Sequence, residues 1–383
     1  MMPELYIVGG IEGLQAYSTK VVTDALSAAL KRRGVKLTVL VRRPARVPRS
    51  TWLRWLTEAW QRYVRYPRWC RARIPAGAWV YVTDHANAAC LLWLKRGCRG
   101  CVHVHDLASL RRPWTMPYPM APHQLFIWLL SMLFKKPGLL RARHLVAISR
   151  FTRDELVRYL GIAEHRIAVA RNGVDAALFY PEPRVPARAA LHYASSCFVV
   201  LTVGHGALRK NYRVVVEALA LLKERIAALR WVHVGDLGDK CQARAAALHL
   251  HFELLPSLHV TALRRHYSAA DVLVAPSWYE GFGLTPLEAL ACGAAVVASA
   301  IPAHREVLRS QARYFPPDNP QALADVLSQI AQGTAGKEHS RRARAAFARR
   351  YSWDRTAHKI CQLIEASEDT GVTVKGAQHG RFP

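Results

Sequence analysis

A chain of 383 residues is too long for one ordinary core and suits two domains of about 150 to 200 residues. Its apolar share of 51% excludes a disordered or fibrous chain. The formal charge of +27 is lopsided: residues 1–190 carry 31 Lys/Arg against 11 Asp/Glu, net +20, and the remainder carries 23 against 16, net +7. That asymmetry points to a polyanionic surface facing the first half, either nucleic acid or anionic lipid. The opening MMPELYIVGG lacks the basic start and apolar run of a signal peptide, so the chain is expected to stay in the cytoplasm. Eight cysteines are scattered; Cys98 and Cys101 form the only close pair, with no second pair to complete a zinc site, and are read as reduced thiols. The longest apolar run, Leu125–Phe134, is about half of what a bilayer span needs. A buried helix and an interfacial segment both remain open for it.

In chain order, Leu5–Val8 form a short apolar strand broken by Gly9 and Gly10. Helical periodicity follows at Val21, Val22, Ala25, Leu26, Ala29 and Leu30, then a second strand from Val35 to Val41. Gly9, Gly10 and Gly13 do not have the dinucleotide spacing and are a weak sign of a phosphate- or sugar-facing loop. A helix is expected from about Thr51 to Tyr66. Strands are expected at Trp79–Val82, Cys101–Val104 and Arg143–Ile148, the last leading into a helix at Thr152–Leu160. The Pro-rich stretch Pro181–Pro186 reads as a linker. The second half alternates strands at Phe198–Val203, Trp231–Val234, Val272–Val274 and Ala295–Ala298 with helices at Tyr212–Leu229, Thr261–Ala269 and Pro286–Ala291. Short, wholly apolar strands between helices are what a parallel sheet covered on both faces requires. Two such sheets in succession imply an α/β protein of two doubly wound domains facing each other across a cleft. Residues from about Ser367 to Pro383 read as a mobile tail.

The informative segment runs from Ala275 to Gly293, APSWYEGFGLTPLEALACG. A buried strand ends, a loop with Gly281 and Gly283 follows, and a helix starts with Thr285 as its expected cap and Pro286 at its first position. Glycines admit a ligand close to the backbone, and a helix N-terminus adds free amide donors and a positive dipole end. Together they suit a diphosphate. Glu280 stands at the mouth of the loop and Glu288 one turn into the helix. Thr285-x-x-Glu288 also has the form of a capping box that needs no ligand, and Glu280 of a solvated loop carboxylate.

This segment resembles the signature of glycosyltransferase family 4, retaining enzymes of the GT-B fold: a glutamate, seven residues and a second glutamate within a run like EGFGLxxLEAxAxG. Other stretches resemble the family in the expected order. These are Val146–Ser149 with Thr152; Asn172–Asp175 with Phe179 and Pro181; Val203–Asn211; and Ser352–Trp353. The resemblance covers roughly residues 5 to 365, more weakly before Val146. It implies an N-terminal acceptor-binding domain over 1–180 and a C-terminal donor-binding domain over 187–350. A helix over about 352–366 is implied to return onto the first domain.

The resemblance also implies roles. Glu280 would contact hydroxyls of the transferred sugar and Glu288 the ribose hydroxyls. Amides from Gly281 through Phe282, Gly283 and Leu284, with Thr285 beside them, would bind phosphate oxygens. Arg209 and Lys210 would neutralise the departing diphosphate, the main catalytic effect available. His205 stands where many members have an arginine, and is a further phosphate candidate. His105, in Val104-His-Asp-Leu107, resembles the strand-end histidine near the transferred sugar, whereas by its residues alone the pair is a turn with Asp106 as cap. Thr83-Asp84-His85 ends the preceding strand analogously. Gly10 matches the family's glycine loop only loosely. No Asp-x-Asp triplet occurs in the chain, which fits a metal-independent transferase with a nucleoside diphosphate sugar as co-substrate and no cofactor.

Residues 31–73 hold 14 Lys/Arg and one acid, Glu58, with Trp52, Trp55, Trp60, Tyr63, Tyr66 and Trp69 interleaved. Tryptophans among arginines favour the headgroup layer of an anionic membrane, while packing of the aromatics onto the first sheet is the plainer alternative. The expectation is therefore a cytoplasmic hexosyltransferase, peripheral to the inner face of a membrane. It would pass a sugar with retention to a glycan or lipid-linked acceptor in envelope polysaccharide or glycolipid synthesis, with no nucleic acid as partner. A GT-B nucleotide-sugar epimerase and, more remotely, a basic nucleic-acid-binding protein are the competing readings.

Overall fold

A computed structural model describes residues 2–12, 17–43, 51–118, 123–333 and 340–369. Gly13 and residues 370–383 lie outside the described residues. The first sheet contains β1 (Leu5–Ile11), β2 (Leu37–Arg42), β3 (Trp79–Val82), β4 (Arg99–Val104), β5 (His144–Ala147) and β6 (Ile167–Val169), all parallel, in the order β2-β1-β3-β4-β5-β6. The second contains β7 (Phe198–Val203), β8 (Leu229–Val234), β9 (Phe252–Leu255), β10 (Val272–Ala275), β11 (Ala295–Ser299) and β12 (Arg313–Phe315), also parallel, in the order β12-β11-β10-β7-β8-β9. This second order, renumbered from its own first strand, is the Rossmann order 3-2-1-4-5-6 read from the other edge.

The inner strands of each sheet are buried on both faces, so the period of two divides each of them between two cores. In the first sheet Leu5, Ile7, Trp79, Tyr81 and Val146 face one core, and Val8, Val80, Val82, Val102 and Leu145 face the other. In the second, Val199, Leu201, Leu273 and Val296 oppose Phe198, Val200, Val272, Val274 and Val297. The helix Trp353–Asp369 closes one face of the first sheet with Trp353, Ala357, Ile360 and Ile364, a helical stripe. The chain passes between the halves twice, side by side. Val174 donates its amide to the Tyr351 carbonyl at 2.9 Å, and the Thr356 hydroxyl donates to the Arg171 carbonyl at 2.6 Å. A Cβ at Gly173 would overlap the backbone of Trp353, so only glycine lets the two passes lie this close.

The expected helix at 51–66 is longer. It runs Thr51–Trp60, loosens into a π turn at Gln61–Arg65 and continues as Tyr66–Arg73. A second helix, His123–Leu130, has a matching π turn at Ser131–Lys135 before Lys136–Arg141. The two π turns meet where Tyr63 stacks on Phe134, ring centroids 4.6 Å apart. Strands β6, β9 and β12 were not expected from the sequence. All three are edge strands of three or four residues, and the two in the second half carry Glu253 and Arg313, which interrupt the apolar run. The linker stretch is only partly irregular, because a helix begins at Arg184.

Candidate active site

A cavity of about 450 Å³ lies between the carboxyl ends of the two sheets, at β3, β4, β7 and β10. In a doubly wound sheet the strand ends and helix starts point their amides there, so ligands collect outside those ends. The glycine loop after β10 enters a helix that starts at Leu284, one residue before the expected cap. Gly283 is the cap residue, at φ +94°, and no side chain caps the helix. Thr285-x-x-Glu288 is therefore not a capping box: Thr285 sits in the first turn, and Glu288 accepts instead from the Tyr267 hydroxyl at 3.2 Å. The first-turn amides of Leu284 and Thr285 have no acceptor within their own helix, and both residues line the cavity with Gly281, Phe282 and Gly283.

Glu280 is the electrostatic centre. Its carboxylate accepts from Lys210 Nζ at 2.6 Å, Arg209 at 3.3 Å and the Ser277 hydroxyl at 2.9 Å. Burial alone would raise this carboxyl; Lys210 and Arg209 outweigh it and hold it far below the usual carboxylate range. The two cations reach the site because Leu208–Lys210 form a short 3-10 turn ended by Asn211 at φ +53°, a conformation asparagine tolerates. The loops are also tied by the Trp278 amide donating to the Arg209 carbonyl at 2.8 Å. Glu288 lies a turn deeper and is not among the cavity-lining residues; burial pushes its carboxyl up to about 8.

From the first half, Asp84, His85, His105 and Asp106 line the same cavity. His105 donates from Nε2 to the Thr83 carbonyl at 2.8 Å. Asp84 and Asp106 each accept from an amide two residues on, Ala86 and Ala108, at 2.8 and 2.9 Å, so both strand-end turns are held by their own carboxylates.

The halves touch at the loop itself. A Cβ on Gly281 would overlap the His105 carbonyl oxygen. The Ser149 hydroxyl donates to the Gly281 carbonyl at 2.7 Å, the Leu107 amide donates to the Tyr279 hydroxyl at 3.0 Å, and that hydroxyl donates to Glu155.

Two further expected donor residues stand apart. His205 is exposed and not among the cavity-lining residues. Gly10 has φ +102°, but its amide donates to the Tyr66 hydroxyl at 2.8 Å and is not available to a phosphate. That hydroxyl donates in turn to the Leu40 carbonyl. Three residues without a sequence signal belong here. His304, buried behind Gly283, bonds Ser299 through Nδ1; Arg62 lines the cavity from its π turn. Lys135 is buried at the other π turn, where it donates to the Ser109 hydroxyl at 2.9 Å. Burial, with Arg62 nearby, pulls the Lys135 ammonium down to about 8. A π turn shifts helical phase by one residue, which period counting does not detect.

The basic stretch divides. Tyr63 and Tyr66 pack into the first half rather than facing outward, and Trp69 lies between Arg42 and Arg73, at 6.0 and 4.2 Å. The side chains of Trp52, Arg54 and Trp55 lie outside the described residues. Leu56 and Trp60 are half exposed, and beside them in the other π-bearing helix so are Leu125, Phe126, Leu129 and Leu133, the last at 63%. Among the described residues no helix is long and apolar enough to cross a membrane, and no group of three or more His, Cys, Asp or Glu is placed to hold a metal ion.

Known proteins place this geometry in a family. Residues 19–178 match the model for Glycosyltransferase Family 4, and residues 188–350 match that for Glycosyl transferases group 1. A D-inositol 3-phosphate glycosyltransferase of Geodermatophilus obscurus is 33% identical over 247 residues, 60% of this chain and 53% of that one. Its counterpart in Pseudarthrobacter chlorophenolicus is 31% identical over 60% of this chain and 57% of its own. The chain thus spans little more than half the length of these curated relatives. Sucrose-phosphate synthase from Thermosynechococcus elongatus superposes with a TM-score of 0.73 at 19% identity, covering 96% of this chain and all of that one. Alr3699/HepE of Anabaena, solved with UDP and glucose, does so at 0.67 and 16%, covering 95% and 100%. The two family models between them cover every strand of the two sheets but β1, and every strand end around the cavity, and the chain belongs to the family 4, group 1 glycosyltransferases of GT-B fold.

Proposed function

We propose that the protein moves a sugar, with retention, from a nucleoside diphosphate donor to a glycan or lipid-linked acceptor at an anionic membrane surface, in the synthesis of an envelope polysaccharide or glycolipid. One observation carries the reading: Glu280 clasped by Lys210 and Arg209 beside the open helix start at Gly283–Thr285. In this reading the donor diphosphate lies on the first-turn amides and takes up the donors that Lys210 and Arg209 do not spend on Glu280. Glu280 is left to accept from the sugar hydroxyls, and Glu288 from the ribose. The bond from the anomeric carbon to the diphosphate oxygen breaks with its electron pair leaving on the diphosphate. The acceptor hydroxyl attacks the same face and passes its proton to the departing oxygen. The charge that develops there meets two cations and a helix dipole, which is the electrostatic stabilisation transfer needs. UDP and glucose in the related HepE structure support a donor of this class. Lys210, Arg209 and the helix start supply the positive field, so transfer should survive EDTA.

The acceptor side is the first half. Half-exposed Trp60, with Arg65 over its ring, and half-exposed Leu129 and Leu133 on the helix that meets it at the Tyr63–Phe134 stack support docking on anionic lipid, with Arg68, Lys136 and Arg141 close by in sequence. The test is a thermal-shift panel of nucleotide sugars followed by transfer assays on the one that binds. A melting temperature unmoved by every nucleotide sugar would refute the donor site. Isomerised sugar formed without acceptor would convert the reading to an epimerase.

A further inference from the structure

Where the chain crosses twice between the halves lies a second pocket of about 340 Å³. Its lining brings together Arg171, Arg309, Arg350, Arg355 and Lys359, and no carboxylate lines it. Arg171 pairs with Glu306 at 2.9 Å, yet its Nε is buried without a hydrogen-bond partner. None of the other four has an ion pair among the described residues. Arg355 and Lys359 stand one turn apart on the helix Trp353–Asp369, a like-charge spacing that destabilises an unliganded helix. The pocket also holds the start of that helix, where Ser352 and the dipole's positive end face it. Arg309 has φ +50° and ψ −131°, outside the regions open to a side chain other than glycine's, so its backbone is strained. Five converging cations, an orphaned guanidinium nitrogen and a strained arginine are unfavourable in isolation and favourable around an anion.

We propose that this hinge pocket binds a soluble phosphate-type oxyanion, a diphosphate or longer polyphosphate, held between the two halves. Arg309 follows the helix Pro302–Leu308 of the second half, whereas Arg355 and Lys359 belong to the helix packed on the first sheet. An anion held by both sets ties the hinge at a fixed angle, so its occupancy is linked to opening of the cleft. It is a site separate from the donor cavity, which shares none of these residues.

Titration calorimetry of the full chain with inorganic pyrophosphate tests it. The variant Arg209→Ala/Lys210→Ala removes the two cleft cations that hold Glu280 and should still bind one pyrophosphate at the hinge. Adding Arg355→Gln/Lys359→Gln should weaken that binding at least tenfold, with the unliganded melting temperature raised rather than lowered. Should the cleft variant fail to fold, wild type against Arg355→Gln/Lys359→Gln gives the same comparison, as loss of one bound anion while the cleft retains its own. Flotation on phosphatidylglycerol vesicles distinguishes the source: binding unaffected by Arg355→Gln/Lys359→Gln supports a soluble anion. Vesicle binding abolished by those substitutions, with no pyrophosphate bound at the hinge, overturns the proposal. So does pyrophosphate affinity that Arg355→Gln/Lys359→Gln leaves intact.

Discussion

The two strand-end clusters that meet across the cavity are charged in different ways. On the second half, charges satisfy one another between loops: Glu280 after β10 is held by Lys210 and Arg209 after β7. On the first half, each carboxylate is satisfied by its own turn, Asp84 by the Ala86 amide and Asp106 by the Ala108 amide. Removing a partner in the second half's cluster strands a buried charge, which costs more than the bond itself, whereas a change in the first half's cluster loses a local turn contact. The second half's cluster is therefore fixed, and the first half's tolerates change.

The largest effect expected is at the line where the clusters touch. Gly281→Ala would drive a methyl into the His105 carbonyl and hold the halves apart. A displacement of about 1 Å at a reacting centre costs roughly a hundredfold, and turnover should fall by that order with the fold intact. Normal turnover would mean that the touching arrangement is not the working one. Next come Lys210→Ala and Glu280→Ala, each losing a charge-assisted contact worth roughly 1.5 to 3 kcal/mol, or at least about tenfold in kcat/KM. Asp106→Asn, which keeps an acceptor for the Ala108 amide, should cost less than about threefold, a bond worth roughly 0.5 kcal/mol being in play. Equal losses on both sides would break the comparison.

Much of the donor side was legible because its chemistry is local in sequence. Glycines, a strand end, a helix start and two glutamates lie within Ala275–Gly293, and the basic pair sits just after an uninterrupted strand. The cap was misplaced because Thr285 and Pro286 have the right residue types two positions late, and only the φ of Gly283 decides between them. The acceptor side was legible at its strand ends alone. Lys135 and Arg62 arrive through π turns, His304 from behind a loop, and Tyr66 claims Gly10 across 56 residues of sequence. Edge strands β6, β9 and β12 lack the two-sided burial that writes an apolar run.

Two smaller effects sharpen the contrast. Basic side chains at an anionic surface contribute about 1 kcal/mol each. Arg65→Gln/Arg68→Gln with Leu129→Ser/Leu133→Ser should abolish flotation on anionic vesicles and leave nucleotide binding unchanged. Equal binding to neutral vesicles, or no effect of the four substitutions, would remove this face as the docking surface. Last is a pH effect on stability rather than on turnover, at Glu288, whose carboxyl sits near 8 in the fold against an ordinary value near 4.5. A raised carboxyl favours the folded state while protonated; that contribution is complete below about 4.5 and is lost as pH rises to about 8. Glu288→Gln should therefore melt progressively higher relative to wild type between pH 5 and 8. A gap that does not change with pH would place Glu288 in water.

The Tyr279 hydroxyl and the Ser149–Gly281 bond make three contacts between the halves with no ligand required. At a net 0.5 to 1.5 kcal/mol each, they sum to roughly 1.5 to 4.5 kcal/mol that opening of the cleft must overcome. A nucleotide that arrives by diffusion then has to wait for the cleft to swing open. Capture is rationed by opening frequency, and the association rate constant falls below the roughly 10⁵ to 10⁷ M⁻¹s⁻¹ of an open site. Replacing Tyr279 with Phe exchanges affinity for speed: faster entry, faster escape and a shorter residence of nucleotide.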